Sequence, residues 1–308
     1  MRLTDHLRRY VPIVAPLILI ASGSVFIAAA PPAVAAPAPL PGVAVPRTAV
    51  PPTTTEAAAL PPVTAQASKA VYFHTLPPGA KLPSGAKCAA LVNAHPRAES
   101  KAANRPYNHR TGRHVGGKFF PTTPGSDNPR AQKRLAPRVN GDFTGTTIDI
   151  LRWAACKWGI DQDIVFAQAA VESWWQQDTL GDFGTDASAC LPGHKIGQDG
   201  TPGECPQSYG ILQNRYPYEN GGWPAIARST AMNADAAYAI WRACYDGYEG
   251  WLNTVPRGTQ YKKGDAWGCV GRWFAGRWRT SAALGYIAKV RQYDHEKIWL
   301  TPDFRQMS

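Results

Sequence analysis

Every tryptophan of this chain, 11 in all, lies between Trp153 and Trp299. Large apolar rings are what a small domain buries to form a core. The stretch before them is crowded with Pro and Ala instead, a composition that builds no core of its own. One packed domain is therefore expected in the C-terminal half of the 308 residues, with something less regular ahead of it.

The beginning of the chain reads as an export signal. Arg2, Arg8 and Arg9 precede an uncharged apolar run, Val11 to Ala30, and Ala33-Val34-Ala35 offers the small residues at which a signal peptidase cuts. Residues 1–35 are thus expected to be a cleaved signal peptide, with an uncleaved membrane anchor as the alternative. Residues 36–68 are Pro, Ala, Thr and Val with almost no charge, the composition of an extended linker. Residues 69–145 read as an irregular basic extension packed on the main domain, with a short strand at Val71-Tyr72-Phe73. His109 and His114 stand among its Arg and Lys residues with no carboxylate or thiol beside them, so no metal site is expected there. A solvated loop and an anion-binding arm both fit this stretch.

Six cysteines, Cys88, Cys156, Cys190, Cys205, Cys244 and Cys269, suit three disulfides in an exported chain. The expected pairs are Cys190–Cys205, closing a Gly/Pro-rich loop, with Cys244–Cys269 and Cys88–Cys156. Absence of any CxxC spacing argues against a structural zinc or a thioredoxin-type site. The formal charge is +11, and +9 once residues 1–35 are removed with Arg2, Arg8, Arg9 and Asp5. A basic exported protein is drawn to anionic polymers. In a cell wall these would be peptide-stem carboxylates and wall phosphates; nucleic acid, the other partner of basic proteins, is not expected, because the chain reads as exported and no nucleic-acid module is recognisable.

From Thr146 the pattern turns helical. Ile148, Leu151, Ala154, Ala155 and Trp158 recur at helix spacing, Gly159 breaks the helix, and Asp161 is placed to cap the next. Further helices are expected over Asn233–Tyr248, Trp267–Trp278 and Leu284–Tyr293, with Trp158 and Trp241 in the core. No stretch alternates like a strand. The domain, residues 146–300, should be mainly α with long Gly-rich loops.

The second of these helices carries the chemistry. It runs about three turns, stays mainly apolar, and ends in Glu172-Ser173-Trp174-Trp175. An apolar setting and the negative end of a helix both raise a carboxyl pKa. A glutamic acid kept neutral near pH 7 is what a glycosidic leaving oxygen needs. Taken alone, Glu172 reads first as a solvated helix-end residue. A second segment, Ser208-Tyr209-Gly210-Ile211-Leu212-Gln213, brings small and polar groups with a Gly that permits close backbone approach to a ligand.

Together, Ala170-Val171-Glu172-Ser173 and Ser208-Tyr209-Gly210-Ile211-Leu212-Gln213 resemble the soluble lytic transglycosylase family, which has a goose-lysozyme-like fold. Gly285-Tyr286-Ile287-Ala288-Lys289-Val290 is similar to a late element of that family. The resemblance spans roughly Thr146 to Trp299. It implies a single mainly α, lysozyme-like catalytic domain, needing no cofactor or metal, that acts as a monomer on the glycan strands of peptidoglycan. Glu172 would be the catalytic acid and then base. Ser173 would orient it or contact the sugar. Ser208, Tyr209, Gly210 and Gln213 would bind the muramoyl side, and Tyr286 would hydrogen-bond toward Glu172 or the substrate.

Two departures stand out. The family's Ala-Tyr-Asn segment is not evident; Gly271-Arg272-Trp273-Phe274-Ala275-Gly276-Arg277-Trp278 stands about where it is expected. The stretch from Glu172 to Ser208 is long and holds Cys190, His194, Lys195, Asp199 and Cys205, which reads as a disulfide-pinned lid over the cleft. Reaction type turns on a second carboxylate. Asp178, Asp182 and Asp186 are the candidates, and Asp182 is the one expected to position water if the enzyme is a hydrolytic muramidase. A non-catalytic wall-binding protein is the remaining alternative. Aromatic faces stack on sugar rings, so Trp174, Trp175, Trp223, Trp273 or Trp278 could line a glycan groove, but most of the 11 tryptophans are expected to be structural.

Overall fold

The computed structural model describes residues 71–115, 118–120, 128–199, 202–218, 221–254 and 260–306. The expected signal peptide and linker, residues 1–68, lie outside the described residues.

The described chain is mostly helical. α1 (Gly85–Asn93), α2 (Arg105–Asn108) and α3 (Asn128–Arg134) come first. α4 (Thr147–Trp158) begins where the Thr146 hydroxyl accepts from the Asp149 amide. It ends at Gly159, whose φ of 59° favours glycine. α5 (Gln162–Ser173) begins at Asp161, whose carboxylate accepts from the amides of Asp163 and Ile164. Three two-residue strands follow: β1 (Leu180–Gly181), β2 (Ser208–Tyr209) and β3 (Asn214–Arg215). They form one antiparallel sheet in chain order, pairing Gly181 with Ser208 and Tyr209 with Asn214. α6 (Ala225–Arg228), α7 (Thr230–Asp246), α8 (Ala266–Ala275), α9 (Ser281–Glu296) and α10 (Pro302–Gln306) complete the described chain.

α7 is the axis of the core. Every residue from Thr230 to Tyr245 is buried, as expected of a helix that is wrapped on all sides. Ala231, Ala234, Ala236, Ala237, Ala239 and Ala243 keep its surface narrow, and α4, α6 and α8 pack against it. α9 lies across both α5 and α8. Trp158 and Trp241 are fully covered. Asp235 on α7 is also buried. It accepts from Lys157 Nζ at 2.6 Å, Trp158 Nε1 at 2.8 Å, and the amides of Asn140 and Gly141 at 2.8 and 2.9 Å. A buried carboxylate survives only with such a full set of donors. This one locks residues 140–141 onto α4 and α7.

The three disulfides are the expected ones. Cys88–Cys156 joins α1 to α4, Cys244–Cys269 joins α7 to α8, and Cys190–Cys205 closes a loop. Disulfides of this kind belong to an oxidising environment. Among the described residues no helix is long and apolar enough to cross a membrane.

Two expectations need correction. Val71-Tyr72-Phe73 is not a strand. Phe73 is a buried anchor whose carbonyl accepts from the Gln162 amide at 2.9 Å. Nor are the described residues of the 71–145 stretch a loop laid over a finished domain. They include α1–α3 and bury Phe73, Val92, Val115, Phe119, Phe120, Leu135 and Phe143 in the common core. These apolar residues are spaced too irregularly to show a helix or strand period, so the pattern hid a contribution that the packing reveals. His109 and His114 are exposed.

Candidate active site

Glu172 stands one residue before the end of α5. The helix is closed by two successive tryptophans in the left-handed region, Trp174 at φ 56° and Trp175 at φ 64°. That backbone is costly for bulky residues. Burial offsets it: Trp175 is enclosed and its indole donates to the Phe166 carbonyl at 2.9 Å. Trp174 packs on Tyr293 and Phe304. The abrupt stop leaves Glu172 facing out of the helix bundle into an open cleft.

The 208–213 turn lies beside it. Ser173 Oγ donates to the Ile211 carbonyl at 2.9 Å, so Ser173 joins α5 to the turn and does not line the cleft. Gln177 and Asn233 hold the turn's backbone. The Ile211 amide donates to Gln177 Oε1 at 3.1 Å, the Leu212 amide donates to Asn233 Oδ1 at 2.9 Å, and Asn233 Nδ2 donates to the Tyr209 carbonyl at 2.8 Å. Gly210 sits at φ 81°, and a Cβ there would overlap the side-chain amides of both Asn233 and Gln177. Its requirement for glycine is thus structural. Gln213 lines the cleft, while its Nε2 donates to the carbonyls of Gly210 and Thr179 at 2.8 and 3.1 Å. Ser208 lines it too, its hydroxyl donating to Asp182 Oδ2 at 2.5 Å. Tyr209 is a correction: its hydroxyl donates to the Pro206 carbonyl and its ring packs edge-on against Trp223, so it is a core residue with no access to a ligand.

The cleft measures about 740 Å³, the size of sites that hold extended small ligands. Its lining includes Asp182, Ser208, Gln213, Arg215 and Tyr218, then Glu249, Trp251 and Arg272–Gly276, and from earlier in the chain Phe119, Phe120 and Asn128. Glu172 and Ile240 come from α5 and α7.

The surroundings of Glu172 favour its neutral form. Its pKa is pushed up from the ordinary 4.5 to about 8, chiefly by loss of water. Hydrogen bonds from Tyr286 and Trp273 pull it back in part, and the negative charge of Asp182 adds to the rise. Among the described residues Glu172 has no salt bridge to Lys or Arg. The Tyr286 hydroxyl donates to Glu172 Oε1, and the Gln168 side chain, one turn earlier on α5, also hydrogen-bonds that hydroxyl. A Gln amide donating to the phenol oxygen leaves the phenol proton for Glu172. Burial beside Glu172 raises the Tyr286 pKa far above its usual value, so the phenol stays a donor. Phe274 lies parallel to the Tyr286 ring, 4.9 Å between centroids and 4° between planes, and remains 58 % exposed at the rim. One of its faces covers Tyr286 and the other is open to a ligand.

Of the other described carboxylates, only Asp182 and Glu249 border the cleft. Glu249 is taken by Arg272, whose Nε and Nη2 donate at 2.5 and 2.6 Å. Asp182 is exposed and sits at φ 50°. Asp178 and Asp186 are outside the lining, Asp186 capping the turn at Ser188. The disulfide loop is a second correction. Among its described residues, none between 183 and 206 lines the cleft, so it stands beside the opening and does not cover it. Trp175, Trp223 and Trp278 are buried, as expected of structural tryptophans, and of the five that could have lined a groove only Trp273 borders the cleft. Trp251, Tyr218 and Glu249 were not foreseen, and Arg272 and Phe274 were singled out only as members of the 271–278 segment. They come from loops and a helix end, where no period marks a functional side chain.

In comparisons with known proteins, no family model, no curated protein sequence and no solved structure matches this chain.

Proposed function

We propose that this chain is a peptidoglycan lytic transglycosylase with a lysozyme-like catalytic domain, cleaving the β-1,4 bond between MurNAc and GlcNAc. The observation that carries the reading is a desolvated, cation-free Glu172, oriented by Tyr286, at the side of an open cleft. A carboxylic acid that holds its proton at neutral pH can give it to the glycosidic oxygen as the C1–O bond breaks. The resulting carboxylate then takes the proton of the muramoyl O6 hydroxyl. That oxygen attacks C1 and closes a 1,6-anhydro ring. Glu172 ends as it began, and no water is consumed. Export to the wall, monomeric action and attraction of the basic chain to anionic wall polymers belong to the same proposal.

A second reading has one observation in its favour. Asp182 borders the same cleft, and its charge acts on Glu172. A muramidase would use it to position water. Mass spectrometry of the fragments released from purified sacculi separates the two: anhydro ends mark transglycosylation and reducing ends mark hydrolysis. Glu172→Gln should abolish release while the protein stays folded. Undiminished release would remove Glu172 from the mechanism, and no release by the wild type would leave, at most, a wall-binding protein.

A further inference from the structure

Among the described residues two cationic side chains border the cleft, and they are in different states. Arg272 is closed off. It meets Glu249 through two short hydrogen bonds and lies over the Trp251 ring. Arg215 is not. Its Nη2 donates to Gln207 Oε1 at 2.7 Å, which fixes the guanidinium. Its Nη1 reaches Asp182 Oδ2 only at 3.9 Å, beyond hydrogen-bond range. The Arg215 side chain is 52 % exposed. Asp182 has meanwhile found a nearer donor in Ser208 Oγ. A guanidinium has five donor hydrogens. Arg215 is therefore held through one hydrogen bond to Gln207, which is not in the cleft lining, while its half-exposed guanidinium borders the cleft with donors to spare.

The surrounding geometry makes this a built feature. Arg215 follows Asn214 in β3, and Asn214 is fully buried, its Nδ2 donating to the Asn233 carbonyl at 3.0 Å. Gln207, whose carbonyl accepts from the Tyr216 amide at 2.7 Å, immediately precedes β2. The base of the Arg215 side chain is thus anchored to the same turn that stands beside Glu172. A planar, fixed, incompletely paired guanidinium matches a carboxylate, which it can meet with two parallel hydrogen bonds.

We infer that Arg215 is a specificity-determining residue that binds a carboxylate on the peptide stem of the glycan strand, so that the cleft selects stem-bearing strands over uncharged ones. The inference rests on the proposed function for the identity of the strand. The binding itself requires only the cleft and Arg215. Arg272 is poorly placed for the same part: its Nε–Nη2 edge, the one that would meet a carboxylate side-on, is taken by Glu249, and its side chain is only 17 % exposed.

The test is sedimentation with insoluble sacculi stripped of phosphate polymers, in the Glu172→Gln background so that nothing is cleaved. Two forms of sacculi are compared, native and with their carboxyls converted to methylamides. Arg215→Gln should weaken binding to native sacculi about tenfold, the scale of one charge-assisted hydrogen-bond pair, and leave binding to amidated sacculi unchanged. Arg215→Lys should restore part of the loss. Lys87→Gln, the same charge change at an exposed site outside the cleft, should not reproduce it. Equal loss on both sacculi, no loss on either, or an equal effect of Lys87→Gln would overturn the inference, and melting curves guard against a misfolded variant. If the wild-type protein releases nothing from sacculi while the Arg215 effect appears, the enzymatic reading fails and this one stands.

Discussion

Replacing Glu172 by Gln should make the protein more stable at alkaline pH, and the amount can be bounded from the site itself. The unfolded chain ionises this carboxyl near 4.5, whereas the folded chain holds it to about 8. Below the first value both states are protonated and the site carries no penalty. As pH rises to the second, the unfolded state gains by ionising and the folded state does not, so stability is lost progressively across that window. At about 1.4 kcal/mol per pH unit the rise sets a ceiling of about 5 kcal/mol. Glu172 borders an open cleft, where water relaxes around the charge, so a difference of about 2 kcal/mol is the expected result. Gln has nearly the same shape and no proton to lose. Urea unfolding of both proteins, disulfides intact, at pH 5 and pH 9 gives a double difference in which all other titrating groups cancel. The advantage of Glu172→Gln over the wild type should grow by about 2 kcal/mol between the two pH values. A gap that is the same at both would mean that residue 172 is solvated and ionised in the fold, and the argument for a stored proton would fall.

Other perturbations have equally definite outcomes. Tyr286→Phe removes a donor that favours the ionised form of Glu172, so the alkaline limb of the kcat/KM profile for sacculus digestion should move to higher pH; an unmoved limb would mean that the two do not touch in solution. Gly210→Ala forces a Cβ into the Asn233 and Gln177 amides at a positive φ. It should cost on the order of 3 kcal/mol, read as a drop in melting temperature. Replacing both Cys190 and Cys205 by Ser removes a link between positions 15 residues apart. Stability should fall by about 3 kcal/mol, yet muropeptide release measured well below the new melting point should persist, because the loop does not border the cleft. Asp235→Ala strands Lys157 in the core and should cost about 3–5 kcal/mol in chemical denaturation.

What the sequence disclosed and what it hid divide along a physical line. Helix periods, caps and cysteine pairs are local or countable, and the folded chain follows them. Asp161 caps α5, Gly159 ends α4, and the three disulfides join the expected partners. Helix ends drifted where a cap lay outside the apolar pattern. Ser229 starts α7 earlier than Asn233, and Gly276 stops α8 before Trp278. Long-range contributions were not legible. Phe73, Phe119 and Phe120 reach the core from a segment whose composition suggested a solvated loop. Tyr209 shows the opposite failure: its neighbours Ser208 and Gln213 border the cleft, but side chains alternate across a strand, and Tyr209 faces inward.

The same line explains how so irregular a wall can hold one geometry. β1, β2 and β3 have only two residues each, too few for a sheet to be stable alone. The rigidity of the turn comes instead from buried amides on other elements. Gln177, just past α5, and Asn233, near the start of α7, satisfy the backbone of residues 209–212, and Ser173 bonds to the same turn from the residue next to Glu172. Buried polar groups of this kind are costly when unpaired, so the network fixes one arrangement and penalises the rest. Glu172 and the wall that faces a ligand therefore move as one body with the helical core. That coupling allows a carboxyl to be kept dry and neutral at the edge of an open cleft, where a loosely held turn would admit water and return its pKa to the ordinary range.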